Sequence, residues 1–129
     1  MITQVEQKIT SLSINNATTQ CLDLEREQTT DLQADYIFMA QVLLHIKHTE
    51  QILSTLYQCL NPKGQLIIVD FDYNEHVNSP FVHSGFKHDH LENLLKRVGF
   101  KQINSETFYH GEQIFMGQDA SMFITSAQK

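Results

Sequence analysis

A chain of 129 residues with 41% apolar residues, 2 prolines and 5 glycines has the length of one domain and the composition of an ordinary packed globule. Nine basic against fifteen acidic residues leave a net charge of −6, which opposes attraction to a phosphate backbone or to anionic lipid, so neither nucleic acid nor membrane is expected as a partner. No stretch approaches the roughly 18 consecutive apolar residues of a membrane span, and Met1–Gln7 has no basic segment leading into an apolar run, so the expected location is cytoplasmic.

Ile2, Val5, Ile9 and Leu12 recur at spacings of three and four, which predicts an amphipathic helix over residues 2–12, stopped near the turn formers Asn15 and Asn16. Ala17–Leu22 is β-compatible and closes on Asp23, and the polar stretch Glu25–Gln33 reads as a connection. Cys21 and Cys59 are isolated in apolar patterns, without the Cys-x-x-Cys spacing of zinc or redox chemistry, and read as reduced core thiols.

Tyr36-Ile37-Phe38-Met39 is a short continuous apolar run, the pattern of a strand covered on both faces in a parallel sheet. A covering helix follows, with Ile52, Leu53, Leu56, Cys59 and Leu60 as its buried stripe, His48 or Thr49 at its start and Asn61-Pro62-Lys63-Gly64 as its stop, glycine there permitting a positive φ. Leu66-Ile67-Ile68-Val69 is then a second buried strand, and strand, helix and strand form a right-handed βαβ unit.

A further helix is predicted over about His88–Val98, entered by a Phe86–Leu91 staple, buried through Leu91, Leu94, Leu95 and Val98, and ended at Gly99 with Phe100 folding back on Leu95. Gln102–Tyr109 and Ser121–Ala127 read as an antiparallel hairpin. The chain has no repeats, low-complexity tracts or linker-like segments, so no domain boundary is drawn.

Asp35-Tyr36-Ile37 through Leu44-His45-Ile46, then Leu60-Asn61-Pro62-Lys63-Gly64 with Leu66 to Asp70, then Gly85-Phe86, Leu91 to Leu95 and Val98-Gly99-Phe100, occur in an order and spacing that resemble class I S-adenosylmethionine-dependent methyltransferases. The resemblance covers nearly the whole chain and corresponds to the C-terminal two-thirds of that family's domain. It implies a partial Rossmann-like α/β fold, a mostly parallel sheet with a C-terminal antiparallel hairpin and helices on both faces. In that family a first strand, a glycine-rich loop and a second strand come earlier, and here no glycine precedes Gly64. A ribose carboxylate contributes on the order of 1.5 to 3 kcal/mol per hydrogen bond, so its loss alone is expected to weaken cofactor binding roughly 10²- to 10⁴-fold.

Ligands of open α/β sheets sit beyond the carboxyl ends of the strands, which selects Asp23, then Met39 to Gln41, then Asp70 to His76. By resemblance, Asp23 would meet the adenine amino group, Met39, Ala40 and Gln41 would line the cofactor pocket, and His45 matches a histidine frequent after the preceding strand. His76 and His83 fall where a methyl acceptor would lie, and a neutral imidazole there could take the proton lost by a nucleophilic oxygen or nitrogen. His88 and His90 are two apart on a predicted helix and point to different faces, so no metal site is expected.

Two functions follow. One is a small-molecule methyltransferase whose S-adenosylmethionine binding is impaired or depends on another chain; the other is a non-catalytic methyltransferase-like remnant serving as a binding or dimerisation module. Either way, the apolar strand Tyr36–Met39 would have an unpaired edge, so a homodimer joined there is expected, unless Ala17–Leu22 moves in beside it.

Overall fold

The amphipathic spacing at the start of the sequence does form a helix, α1 (Ile2–Ser11), in the computed structural model, which describes residues 2–20 and 31–129. None of its side chains is buried, and Val5 stands 43% exposed. Residues 17–20 adopt no strand, while the rest of that expected element, Cys21 and Leu22, lies outside the described residues. A β-compatible run becomes a strand only beside a ladder partner, and among the described residues none pairs with 17–20.

The apolar run becomes β1 (Ala34–Ala40), with Met39 buried and Ile37 packed against the same core. Tyr36 and Phe38 alternate to the other face and remain 70% and 66% exposed. A 3-10 turn (Leu43–His45) follows, and its Leu43 and Leu44 are both buried. Next comes α2 (Thr49–Cys59), which buries Ile52, Leu53, Leu56 and Cys59 as the periodicity predicts.

β2 (Leu60–Phe71) begins directly after α2, so Asn61 to Gly64 is the strand's lead-in rather than a free turn. The left-handed residue there is Lys63, φ 66°, and not Gly64. What requires glycine at 64 is close packing: a Cβ would lie 2.8 Å from the Asn61 carbonyl oxygen and 3.0 Å from that of Asp35. β1 and β2 pair in parallel from Tyr36 opposite Gln65 to Ala40 opposite Val69, with α2 as the crossover.

α3 (His88–Val98) occupies the predicted span and buries Leu91 and Leu95. It ends as expected: the Gly99 N–H donates to the Lys96 carbonyl at 3.1 Å, the Phe100 N–H donates to the Leu95 carbonyl at 3.0 Å, and Phe100 joins Leu95 in the core. The last two strands, β3 (Lys101–Phe115) and β4 (Gln118–Gln128), are an antiparallel hairpin, longer at both strands than the apolar pattern alone marks.

The sheet order is β1-β2-β4-β3, because the hairpin's second strand, not its first, enters beside β2. It is therefore mixed, with β1–β2 parallel and the other two pairs antiparallel. Leu66 and Ile68 of β2 and Phe123 of β4 meet α2 and α3 in the main core. A smaller cluster, Leu44, Phe71, Val77, Phe115 and Ala120, sits at the C-terminal end of β2, with the Phe71 and Phe115 rings stacked at 4.3 Å. No described helix is long and apolar enough to cross a membrane.

Candidate functional site

The two parallel strands stop side by side, and the segments that leave them converge. Gln41, left-handed at φ 55°, donates its N–H to the Val69 carbonyl at 2.8 Å and turns the chain into the 3-10 segment. From β2, the carboxylate of Asp70 reaches under that segment: Oδ2 accepts the Leu44 N–H at 3.2 Å and Oδ1 accepts the Phe71 N–H at 2.9 Å. Asp70 is fully buried, and burial pushes its carboxyl up to about 6, while the two peptide donors and the neighbouring His45 and His83 oppose a further rise.

The loop after β2 returns to the sheet through Gly85, whose φ of 92° brings its backbone against Asp72. A Cβ there would lie 2.2 Å from the Asp72 carbonyl oxygen. That close return lets Tyr73 donate to the Phe86 carbonyl at 3.1 Å and Phe86 donate to that of Phe71 at 3.0 Å.

Just before this return, His83 is held at both ends against the segment after β1. Its peptide N–H donates to the Leu44 carbonyl at 2.8 Å, and its ring Nε2 hydrogen-bonds the Ile46 carbonyl. A carbonyl oxygen only accepts, so the neutral ring carries its proton on Nε2 and keeps its lone pair on Nδ1. The ring also lies tilted against Phe86, centroids 5.4 Å apart.

His45 and His83 thus come to one pocket of about 440 Å³, whose walls also include Lys47, Pro80 and Phe81. His76 does not join them. Its neighbour Val77 is the residue that plugs inward, 1% exposed, and His76 faces out beside Glu75 at 3.8 Å. Met39 packs in the core with Leu43, whereas Ala40 and Gln41 stand exposed at the strand end. Asp23 lies outside the described residues.

A second cluster has no counterpart in the sequence reading. Asp72 Oδ1 meets His88 Nε2 at 2.6 Å, and Asp72 Oδ2 accepts the Thr107 hydroxyl at 2.8 Å, tying the end of β2 to the first turn of α3 and to β3. His88 is thereby turned toward the sheet while His90 is exposed, the divergence expected of residues two apart on a helix.

A family model described as a methyltransferase domain matches residues 3–106. The chain belongs to this family. Among solved structures, this methyltransferase domain resembles a SAM-dependent methyltransferase of Methanosarcina mazei, with a TM-score of 0.72 and 17% identity over 99% of this chain and 76% of that one. The [4+2]-cyclase SpnF superposes with a TM-score of 0.77 at 14% identity, over 99% of this chain and 62% of that one. Phosphoethanolamine N-methyltransferase 2 of Haemonchus contortus, in complex with S-adenosyl-L-methionine, gives 0.57 and 16% over 74% of this chain. At such identities the likeness is one of fold, and the chain spans only 33% of the Haemonchus enzyme. No curated protein matches the chain by sequence.

The described residues at the end of β1 are those the resemblance sets against the cofactor. Among the described residues, the end of β1 offers Ala40 and Gln41, and the Gln41 N–H is already committed to Val69. Met39 is 7% exposed and faces the core. Among the described residues, these groups do not make a cradle of peptide N–H donors.

Proposed function

We propose that this chain carries the acceptor side of a small-molecule methyltransferase and takes up S-adenosylmethionine weakly alone, or fully only with groups contributed by another chain. The observation that carries this reading is the convergence of both post-strand segments at the C-terminal ends of β1 and β2, fastened by Asp70 and by the two bonds of His83. S-adenosylmethionine, when bound, supplies an electrophilic methyl group. The protein's own part is to orient the acceptor in the pocket and to receive, at Nδ1 of His83, the proton that a nucleophilic oxygen or nitrogen gives up. His45 lines the acceptor pocket beside it, Ala40 and Gln41 form the cofactor wall, and His76 stays outside.

The same reading gives β1 a partner, a second copy of the chain pairing along Tyr36–Met39, since Tyr36 and Phe38 flank an edge with no neighbour among the described residues. That edge also favours a second reading, a methyltransferase-like module that dimerises without turnover. Calorimetric titration with S-adenosylmethionine separates the two. Saturable binding in the micromolar range would sink the non-catalytic reading, and no heat at millimolar ligand would sink the enzyme reading for the chain by itself.

A further inference from the structure

The loop of residues 72–87 carries His83 and contains no helix or strand of its own, so its course depends on how its ends are held. Asp72 holds them in three ways. Its peptide N–H donates to the Ser121 carbonyl at 2.9 Å, which fixes it to β4. Its backbone pairs in parallel with Phe86, at the other end of the loop. Its carboxylate reaches His88 Nε2 at 2.6 Å and the Thr107 hydroxyl at 2.8 Å. The chain thus leaves and re-enters the sheet at one residue, and Lys87 adds to the same neck with its ammonium 5.0 Å from the centre of the Tyr73 ring.

A carboxylate only accepts, so His88 donates from Nε2 and Thr107 from its hydroxyl, and each Asp72 oxygen has a donor of its own. Hydrogen bonds to an ionised acceptor are roughly twice as strong as neutral ones. The His88 and Asp72 side chains are 33% and 22% exposed, so water competes little for this one. What the pair fixes reaches His83 through a series of rings. The His88 ring lies 5.2 Å from that of Phe123, which is fully buried, and Phe86 meets the same Phe123 edge-on at 6.4 Å. Phe86 in turn backs the His83 ring at 5.4 Å.

From this geometry we infer that Asp72 and His88 are positioning residues for His83. Their bond, steadied by Thr107, clasps the neck of the loop and so keeps the His83 ring on the Ile46 carbonyl with its lone pair on Nδ1. His88 acts through its Nε2–H and Phe123, not on a reactant. The importance of the clasp for methyl transfer rests on the reading of His83 given above, but the clasp itself can be tested without cofactor or acceptor.

The test reads His83 by NMR in the uniformly isotope-labelled full chain, through its ring tautomer and the hydrogen exchange of its peptide N–H. Wild type should show the Nε2–H tautomer and a protected N–H. His88→Leu, which removes the donor, should mix the His83 tautomers and speed exchange of its N–H at least about tenfold, while the amides of α2 keep their rates. His88→Gln, which retains an N–H donor without an imidazole, should restore both signals. Unchanged His83 signals in His88→Leu overturn the clasp, as does failure of His88→Gln to restore them, or an acceleration shared equally with α2. Where His88→Leu does not fold, Thr107→Val decides. Faster exchange at His83 with α2 unchanged supports the clasp, and an unchanged rate overturns it. Titration of S-adenosylmethionine into the same sample is read separately. A working clasp without cofactor binding leaves the positioning and removes its part in methyl transfer, and binding without a clasp leaves that reading and removes the positioning.

Discussion

At the scale of single residues, Asp70 joins fold and site in one carboxylate. Its ordinary value of 3.8 rises to about 6 because burial disfavours the charged form more than two peptide donors and two nearby histidines favour it. The folded state therefore holds the proton over a range where the unfolded chain has lost it. Its contribution to stability is complete below about pH 4 and lost as pH rises through about 6, an effect on the order of 3 kcal/mol. Asp70→Asn removes this linkage. The difference in unfolding free energy between wild type and variant should thus move in favour of wild type as pH falls from 7 to 4, measured by urea denaturation, and a flat difference would refute the assignment. The position of Asp70 at a strand end was readable in the sequence. Its task of accepting the Leu44 N–H was not, because residues 26 apart in sequence meet only once β1 and β2 are paired.

At the scale of elements, what is legible in the sequence is what local pattern determines. The α3 boundaries at His88 and Val98 and the Gly99 ending follow from apolar spacing and a single glycine. The Asp72–His88–Thr107 tie escaped because its three members come from a strand end, a helix start and a hairpin, with no spacing rule to link them. The loop between β2 and α3 depends on Gly85 in the same non-local way. Gly85→Ala forces a Cβ into the Asp72 carbonyl at a φ that L-residues avoid, so it should destabilise the domain by roughly 2 to 3 kcal/mol. A denaturation midpoint changed by less than a third of that would mean the loop re-routes cheaply. In that event the two-point fixation of His83 would lose its physical basis.

At the scale of the whole molecule, the outstanding feature is the edge of β1. Tyr36 and Phe38 are exposed on the face turned away from α2 and α3, where the apolar run alone would place covered positions, and among the described residues no strand pairs with the outer edge of β1. Covering such an edge with a second copy would satisfy a row of backbone groups together with two aromatic side chains. Light scattering should accordingly give twice the chain mass, and Phe38→Lys should return it toward the monomer by placing a charge in the joint. A monomeric wild type would exclude the pairing.

The placing of β4 between β2 and β3 has a consequence for how the molecule assembles. The middle of the sheet is occupied by the strand synthesised after its neighbours on both sides, so β2 and β3 cannot be joined until that strand arrives. The hairpin can close locally, but its docking onto β2 must span α3 and the loop that carries His83. Long-range pairing of this kind is the slow step in mixed folds. The pocket lined by His45 and His83 should therefore be among the last parts to take shape, since His83 lies on the loop between β2 and α3 that this docking must span.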